Sequence, residues 1–171
     1  MIIPVVRKMR TADPAAYAWA GLRKFQNVDL IMEELTRLHE VPSKQQGNVR
    51  KQAQQIRYCM IQAREYFAAA QSISLATKPN LLYYGLMSLA LAEILYKQSG
   101  DSSLDRAREQ HRHHGLSMIA CKVASDVDLH AAASNLRAVP IEMDRKRKGN
   151  FELWHQSCRE YPIGGADYDP S

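Results

Sequence analysis

The sequence has few of the residues that mark specialised protein classes. Among its 171 residues are only three cysteines, Cys59, Cys121 and Cys158, and no two of them form a Cys-x-x-Cys pair. An odd number of cysteines without such a pair argues against a disulfide framework and a structural zinc site, so we expect a reducing, cytoplasmic setting. Eight glycines and seven prolines are too few for a collagen-like chain. The composition therefore predicts one soluble globular domain.

Long apolar runs and recognisable enzyme signatures are also missing. The most apolar stretch, residues 81–96, is shorter than the roughly 20 residues that span a bilayer, and it contains Ser88 and Glu93. The apolar run within residues 1–8 is too short for a signal peptide, and its charges follow the run instead of preceding it. No phosphate-binding loop, dinucleotide fingerprint, zinc-protease, serine-hydrolase or kinase signature is present. We therefore expect no membrane association and no cofactor.

Basic residues outnumber acidic ones, with 23 lysines and arginines against 18 aspartates and glutamates and a formal charge of +5. This bias favours an anionic partner without identifying it. The run Arg145-Lys146-Arg147-Lys148 predicts a turn that precedes Phe151–Trp154. It is either a solvated turn or a contact for nucleic-acid phosphates.

Helical patterns dominate residues 13–72. Asp13-Pro14 predicts the start of a helix over residues 15–26, and Asn27 predicts the cap of a second helix that ends near residue 39. Apolar residues at alternating steps of four and three predict a long third helix over residues 48–72. Its stripe consists of Val49, Ala53, Ile56, Met60, Ala63, Phe67 and Ala70. A helix of this length needs a partner along its whole apolar face.

The predicted partner of the long helix is the segment from Pro79 to Tyr96. It is apolar on nearly all sides, so we expect it to be the buried central helix, with Tyr83 and Tyr84 as core aromatics. Gly85 lowers the helix propensity by about 1 kcal/mol relative to alanine. A close helix crossing at this glycine is the expected reason for it.

The character of the sequence changes after Gly100. We expect a short polar helix over residues 101–108, an apolar helical segment over residues 116–124, and an extended segment over residues 135–143 with Pro140 at a sheet edge. The predicted fold is mainly α, a bundle of four to five helices with a small extended or β-hairpin appendage. The predicted single domain spans residues 1–171, with a helical core at about 13–125, the appendage at 130–160 and a flexible tail at 162–171.

The best candidate for chemistry is a cluster of three arginines and three histidines. Its members are Arg106, Arg108, His111, Arg112, His113 and His114. One interpretation is a solvated loop in which a histidine caps the preceding helix. A second is a metal site at His111 and His114, although no acidic or cysteine ligand stands close in sequence to complete a tetrahedral set. Arg106 and Arg112 are further candidates for nucleic-acid contacts.

A third interpretation of the cluster is metal-independent RNA cleavage. An imidazole titrates near neutrality and can remove the proton of a ribose 2′-hydroxyl, while a guanidinium neutralises charge on the phosphorus. Arg108 fits the second role, and either His113 or His114 fits the first. On one unbroken helix these positions point about 120–140° apart. The site therefore needs a helix end here or a second protomer, and the hypothesis predicts a homodimer.

Several stretches resemble the YaaC-like family of bacterial proteins. They are the segment Gln62–Ala70, the segment Lys78–Leu86 with its paired tyrosines, and His114-Gly115-Leu116, with a weaker echo in Gly149-Asn150-Phe151. The same layout is similar to HEPN domains, which are small helical bundles of toxin, abortive-infection and antiviral systems.

The HEPN resemblance implies two functions. Many HEPN proteins are dimeric, metal-independent ribonucleases with four to six residues between an arginine and a histidine, a motif that falls here on Arg108 with His113 or His114, at four or five intervening residues. Others are non-catalytic and serve as binding modules. The resemblance therefore implies either an RNA-cleaving effector of a defence or toxin system, or a module that docks a protein or nucleic acid within a larger defence assembly.

Overall fold

A computed structural model describes residues 10–97, 113–119, 136–143 and 146–157. Over these ranges the protein is mainly helical, as predicted, with five α-helices and four short strands. The helices are α1 (Pro14–Leu22), α2 (Val28–Leu38), α3 (Gln46–Ser72), α4 (Lys78–Lys97) and α5 (Asn150–Ser157), and the strands are β1 (Leu116–Ile119), β2 (Arg137–Pro140), β3 (Glu142–Met143) and β4 (Lys146–Arg147). No helix within the described ranges is long and apolar enough to cross a membrane.

The first two helices begin where their capping residues predict. The Asp13 side chain accepts a hydrogen bond from the Ala16 backbone N–H at 2.9 Å, and a 3-10 turn extends α1 over Arg23–Gln26. Asn27 Oδ1 accepts the N–H groups of the first turn of α2 at 3.1 and 3.2 Å. Each cap satisfies donors that have no partner within their helix, a contribution of about 1 kcal/mol.

The core lies where α2 and the antiparallel pair α3 and α4 meet. At one end of the pair Gln52 Nε2 donates to the Leu95 carbonyl, and at the other the Phe67 ring lies over Gly85. The predicted reason for Gly85 is a close helix crossing. A Cβ added there would lie 3.0 Å from Phe67 Cε2, so the glycine makes room for an aromatic side chain of α3. The buried core cluster contains Ile31, Leu35, Val41, Val49, Ala53, Ile56, Cys59, Met60, Ala92 and Leu95.

A polar contact fastens α2 to the end of α4. The Tyr96 hydroxyl donates to Glu34 Oε1 at 2.7 Å, and Lys24 pairs with the same carboxylate at 3.2 Å. The Tyr96 hydrogen bond is the leading cause that holds the pKa of Glu34 below its ordinary value. Burial, followed by the same hydrogen bond, raises the pKa of Tyr96 to about 12.

The expectation that α4 is buried along its whole length is wrong for its first turns. Leu82, Tyr84 and Leu86 are exposed by more than two fifths, whereas Ile94 and Leu95 are buried. The described polar contacts between α5 and α4 fall in the last turns of α4. Composition reports how apolar a helix is, but only its neighbours decide which turns are covered.

The segment predicted as a helix over residues 116–124 is a strand where it is described. β1 pairs antiparallel with β2, with Leu116 opposite Pro140 and Ile119 opposite Arg137. Pairing with a distant strand satisfies the backbone and overrides the local preference. The predicted extended segment over residues 135–143 is confirmed at β2 and β3, and Pro140 lies in a two-stranded sheet in which every strand is an edge.

The C-terminal appendage is extended only in part. β3 and β4 form a second antiparallel pair, so Lys146 and Arg147 of the predicted turn lie in a strand. Residues 150–157 are helical, which corrects the expectation of an extended appendage up to residue 160. Trp154 holds this helix against α4, because its Nε1 donates to Glu93. The predicted helix at 101–108 and tail at 162–171 lie outside the described residues.

Candidate functional site

His113 and His114 lie directly before β1. His113 occupies a bend and His114 has no regular secondary structure, so neither is in a helix. The angle of about 120–140° that an unbroken helix would place between Arg108 and these two histidines therefore does not apply. We call His113, His114 and Gly115 the histidine segment. The other members of the arginine and histidine cluster, Arg106, Arg108, His111 and Arg112, lie outside the described residues, as does Arg145.

The histidine segment is joined to the start of α5 by a close crossing of two backbones. Gly115 and Gly149 have φ angles of 87° and 113°, a region that favours glycine. A Cβ at Gly149 would lie 2.2 Å from the Gly115 Cα, so only glycine permits this approach. In the sequence, the only sign of this crossing is a glycine directly after His114 and another directly after Lys148.

Backbone hydrogen bonds hold the crossing in place. The N–H of Asn150 donates to the His113 carbonyl at 2.9 Å, and the N–H of Phe151 donates to the His114 carbonyl at 3.0 Å. On the other side Ile141 N–H donates to the Gly115 carbonyl at 2.9 Å. The first N–H groups of a helix have no partner within it. The histidine segment supplies those partners to α5, and this fixes the segment's position.

The two histidines have different surroundings. His113 is half-buried, its Nδ1 accepts the Gly115 N–H at 3.1 Å, and its buried Nε2 has no hydrogen-bond partner among the residues that the structure describes. His114 is exposed, and its Nδ1 forms a hydrogen bond with the Tyr83 hydroxyl. His113 therefore serves the local backbone, whereas His114 presents an imidazole at the surface.

Tyr83 and Tyr84 were expected as core aromatics with one hydroxyl satisfied at the edge of the bundle. Tyr83 is 36% exposed, and its hydroxyl is satisfied by His114. The two rings meet edge to face with centroids 5.3 Å apart. Burial raises the pKa of Tyr83, and the neighbouring Tyr84 adds to the rise, so the Tyr83 hydroxyl keeps its proton at neutral pH. A protonated hydroxyl can both donate and accept a hydrogen bond, and it therefore suits either tautomer of His114.

The β3 and β4 hairpin brings the predicted basic residues toward the same crossing. Lys146 is exposed, Arg147 pairs with Glu142 at 3.8 Å, and the Lys148 backbone N–H donates to the Ile141 carbonyl at 3.1 Å. Lys148 directly precedes Gly149, and its carbonyl oxygen would lie 2.9 Å from a Cβ at Gly115. The structure thus places the end of the basic run against the histidine segment.

A second polar contact, which the sequence did not single out, supports α5. Glu93 accepts hydrogen bonds from Trp154 Nε1 at 2.9 Å and from Lys97 Nζ at 2.7 Å. Burial raises the pKa of the Glu93 carboxyl, but the two hydrogen bonds and the charge of Lys97 outweigh that effect, and its pKa lies below the ordinary value. Glu93 is therefore a structural carboxylate that anchors α5 and, through it, the histidine segment.

The described residues add no ligand to the metal site proposed at His111 and His114. No group of three or more histidine, cysteine, aspartate or glutamate side chains that could hold a metal ion occurs within the described ranges. His111, half of the predicted metal pair, is outside those ranges. The observed partner of His114 is Tyr83, a hydroxyl donor and acceptor.

The motif segments behind the family resemblance meet at one point in the structure. Tyr83 contacts His114, and Gly149-Asn150-Phe151 crosses and hydrogen-bonds the histidine segment. The sequence profile of the YaaC-like protein family matches residues 23–130, which include α2, α3, α4 and β1. No curated protein and no solved structure matches the chain. The profile covers more than half of the sequence and contains Tyr83 and His114, and the chain belongs to the YaaC-like protein family.

Proposed function

We propose that this protein is a metal-independent endoribonuclease in which His114 transfers the proton. The observation that carries the proposal is an exposed imidazole that is oriented through Nδ1 by the Tyr83 hydroxyl. It lies next to the β3 and β4 hairpin with Lys146, Arg147 and Lys148, which we call the basic hairpin. A base that is oriented by a third group is the usual arrangement in catalytic proton transfer. Of the two histidines that the sequence left open, His114 has this arrangement and His113 does not.

The Tyr83 hydroxyl suits both halves of a proton-transfer cycle. When Nδ1–H donates to the Tyr83 oxygen, the lone pair of Nε2 can take the proton of a ribose 2′-hydroxyl. The resulting 2′-oxygen attacks the phosphorus, a 2′,3′-cyclic phosphate forms, and the bond to the 5′-oxygen breaks as that oxygen takes a proton from water. The imidazolium later returns its proton to water. The imidazolium that has formed still donates through Nδ1 to Tyr83. The hydroxyl therefore holds the ring in one orientation in both protonation states.

Arg108 is the proposed source of positive charge on the phosphorus. It lies outside the described residues, and its role rests on the HEPN-like spacing to the histidines. A planar, permanently charged guanidinium matches the extra negative charge of the transition state. We assign Arg108 of one protomer and His114 of the other to each site, so the active form is a homodimer.

The basic hairpin is the proposed contact for the RNA backbone. Lys146, Arg147 and Lys148 end at the glycine crossing that also holds His114. Lysine and arginine side chains bind phosphates without sequence preference, and this binding weakens as salt rises. Arg106, Arg112 and Arg145 belong to the same proposed surface.

The test of the ribonuclease is cleavage of an unstructured RNA by the purified protein in EDTA, with the 2′,3′-cyclic phosphate as the diagnostic product. We expect His114→Ala and Arg108→Ala each to abolish cleavage. His113→Ala is the matched control, and it should keep cleavage if the variant is folded. Cleavage that survives in the His114→Ala variant would refute the assignment.

Mixing two inactive variants tests whether the site is shared between protomers. A heterodimer of Arg108→Ala and His114→Ala chains contains one site with both wild-type side chains, and about a quarter of wild-type activity should return in an equal mixture of a two-fold dimer. If both side chains of a site come from the same chain, mixing restores nothing.

The HEPN resemblance extends the proposal to a defence or toxin effector. Expression of an active ribonuclease of this kind should arrest bacterial growth, and His114→Ala should relieve the arrest at equal protein level. Growth that is equally poor with both forms would show that the arrest has another cause.

One alternative is a non-catalytic module that docks a protein partner within a larger assembly. The observation that favours it is the exposed apolar surface of the first strand pair, where Met118 is 73% and Ile119 50% exposed. Charged replacements at both positions should then break a stable complex. Cleavage of RNA that these replacements leave intact supports the ribonuclease.

A further inference from the structure

A row of aromatic rings crosses the surface from α3 to the histidine segment. Tyr66 on α3 stacks on Tyr84 of α4, with centroids 5.7 Å apart and ring planes at 29°. Tyr84 meets Tyr83 edge to face at 5.4 Å, and Tyr83 meets His114 in the same way at 5.3 Å. We call these four residues the aromatic row. It connects the surface of the helical bundle with the proposed catalytic imidazole.

The rings of the aromatic row are unusually open to solvent for residues of a helical pair. Tyr84 is 48% and Tyr83 36% exposed, His114 is exposed, and Tyr66 is half-buried. Aromatic side chains ordinarily place most of their large apolar area in a core. Here the area is aligned along the surface, which is the arrangement that stacks planar ligands.

Positive charge lies at the end of the aromatic row that reaches His114. The helical pair over residues 46–97 carries six basic and two acidic residues, namely Arg50, Lys51, Arg57, Arg64, Lys78 and Lys97 against Glu65 and Glu93. Glu93 is bonded to Lys97 and Trp154 in the last turns of α4. In the half of the pair that bears the row, Arg64 and Lys78 line hollows beside α1, and Arg64 points about 160° away from Tyr66 around α3. At its other end the row reaches His114, whose segment crosses the chain beside Lys148.

We propose that the aromatic row is a base-stacking site for a single RNA strand, with Tyr84 as its main platform. Every base has a flat face, so stacking on tyrosine is tolerant of sequence, and the basic side chains of the hairpin at the His114 end hold the phosphates. A duplex hides its base faces, so this site selects unpaired RNA. The inference deepens the proposed ribonuclease, because a strand stacked along the row leads to His114.

The test is a binding titration with a probe that cannot be cleaved. A short, unpaired 2′-O-methyl RNA with a fluorescent label lacks the 2′-hydroxyl nucleophile, so binding is measured apart from chemistry. We expect the full chain at low salt to bind this strand more tightly than a duplex of the same sequence. Tyr84→Ala should weaken binding about 5- to 150-fold, the range for one stacked base.

Three further variants separate stacking from folding. Tyr84→Trp keeps a flat face and should retain affinity, whereas Tyr84→Leu keeps apolar packing without a flat face and should lose it as Tyr84→Ala does. Tyr17→Ala is the matched control, because Tyr17 on α1 is 51% exposed and lies outside the aromatic row. Its affinity should equal that of the wild type.

Each contrary outcome has a defined meaning. Equal affinity for single strand and duplex, or an equal effect of the Tyr84 and Tyr17 variants, overturns the stacking site. Tighter binding of a DNA strand of the same sequence overturns the assignment to RNA. If Tyr84→Ala changes the oligomeric state and leaves RNA affinity unchanged, the row is a protein interface and the proposal is wrong. Binding that depends on Tyr84 without cleavage of ordinary RNA refutes the ribonuclease alone.

Discussion

The crossing of Gly115 and Gly149 makes Gly149→Ala an informative substitution. The added Cβ would lie 2.2 Å from the Gly115 Cα and 2.5 Å from the Gly115 nitrogen, distances that no real Cβ contact tolerates. The φ of 113° at Gly149 also strains any residue with a side chain. Both obstacles are in the main chain, so no rotation of a neighbouring side chain relieves them.

The size of the effect follows from these contacts. A residue other than glycine in such a conformation costs of order 1–3 kcal/mol. Separation of the two backbones also breaks the hydrogen bonds from Asn150 and Phe151 to the histidine segment, at about 1 kcal/mol each. Together these terms come to about 3–5 kcal/mol. We expect the start of α5 to leave the histidine segment while the pair α3 and α4 stays folded.

Amide hydrogen exchange measures this release directly. In Gly149→Ala the N–H groups of Asn150 and Phe151 should lose their protection, whereas amides in the middle of α3 keep theirs. Gly21→Ala is the matched control, because nothing lies within 4 Å of its added Cβ and its place near the end of α1 tolerates alanine. It should be neutral or stabilising by up to about 1 kcal/mol. Unchanged protection of residues 150 and 151 in Gly149→Ala would refute the reasoning.

Three other substitutions test separate parts of the structure. Tyr96→Phe removes the 2.7 Å hydrogen bond to Glu34 and should cost about 1–2 kcal/mol at neutral pH. Because the folded-state pKa of Glu34 is below its ordinary 4.5, that cost is present above pH 4.5 and shrinks as pH falls further, which urea unfolding at several pH values will detect. Trp154→Phe removes the donor to Glu93 and should cost about 1 kcal/mol, and an unchanged unfolding free energy contradicts this. Lys146→Ala should lower the salt dependence of binding to a single RNA strand by about 0.7 in the log–log slope. An unchanged slope removes Lys146 from the phosphate contacts.

The helical part of the fold was predictable because its signals are local. Asp13 and Asn27 cap the helices that they were expected to begin, and the apolar stripe of α3 faces the core over most of its length. The segment at residues 116–119 was not predictable in the same way. Its partner in the sheet lies about twenty residues later, and pairing with residues 137–140 overrode the helical preference.

The candidate site was also predictable only in part. The sequence singled out the histidines and the basic run by composition, and the family resemblance pointed to the paired tyrosines. It left open which histidine is suited to catalysis, because the difference depends on contacts with residues far away in sequence. Tyr83 is 31 residues before His114, and their contact distinguishes His114 from its neighbour.

The sequence by itself determined a mainly helical, basic chain of the YaaC-like family, with its capping residues and its long α3 stripe. These features depend on neighbouring residues or on periodic spacing, so local chemistry specifies them. The tertiary structure alone decided that the first turns of α4 remain exposed, that Gly115 and Gly149 cross, and that Tyr83 holds His114. Each of these depends on which distant segment covers or contacts a residue, and spacing along the chain does not encode that.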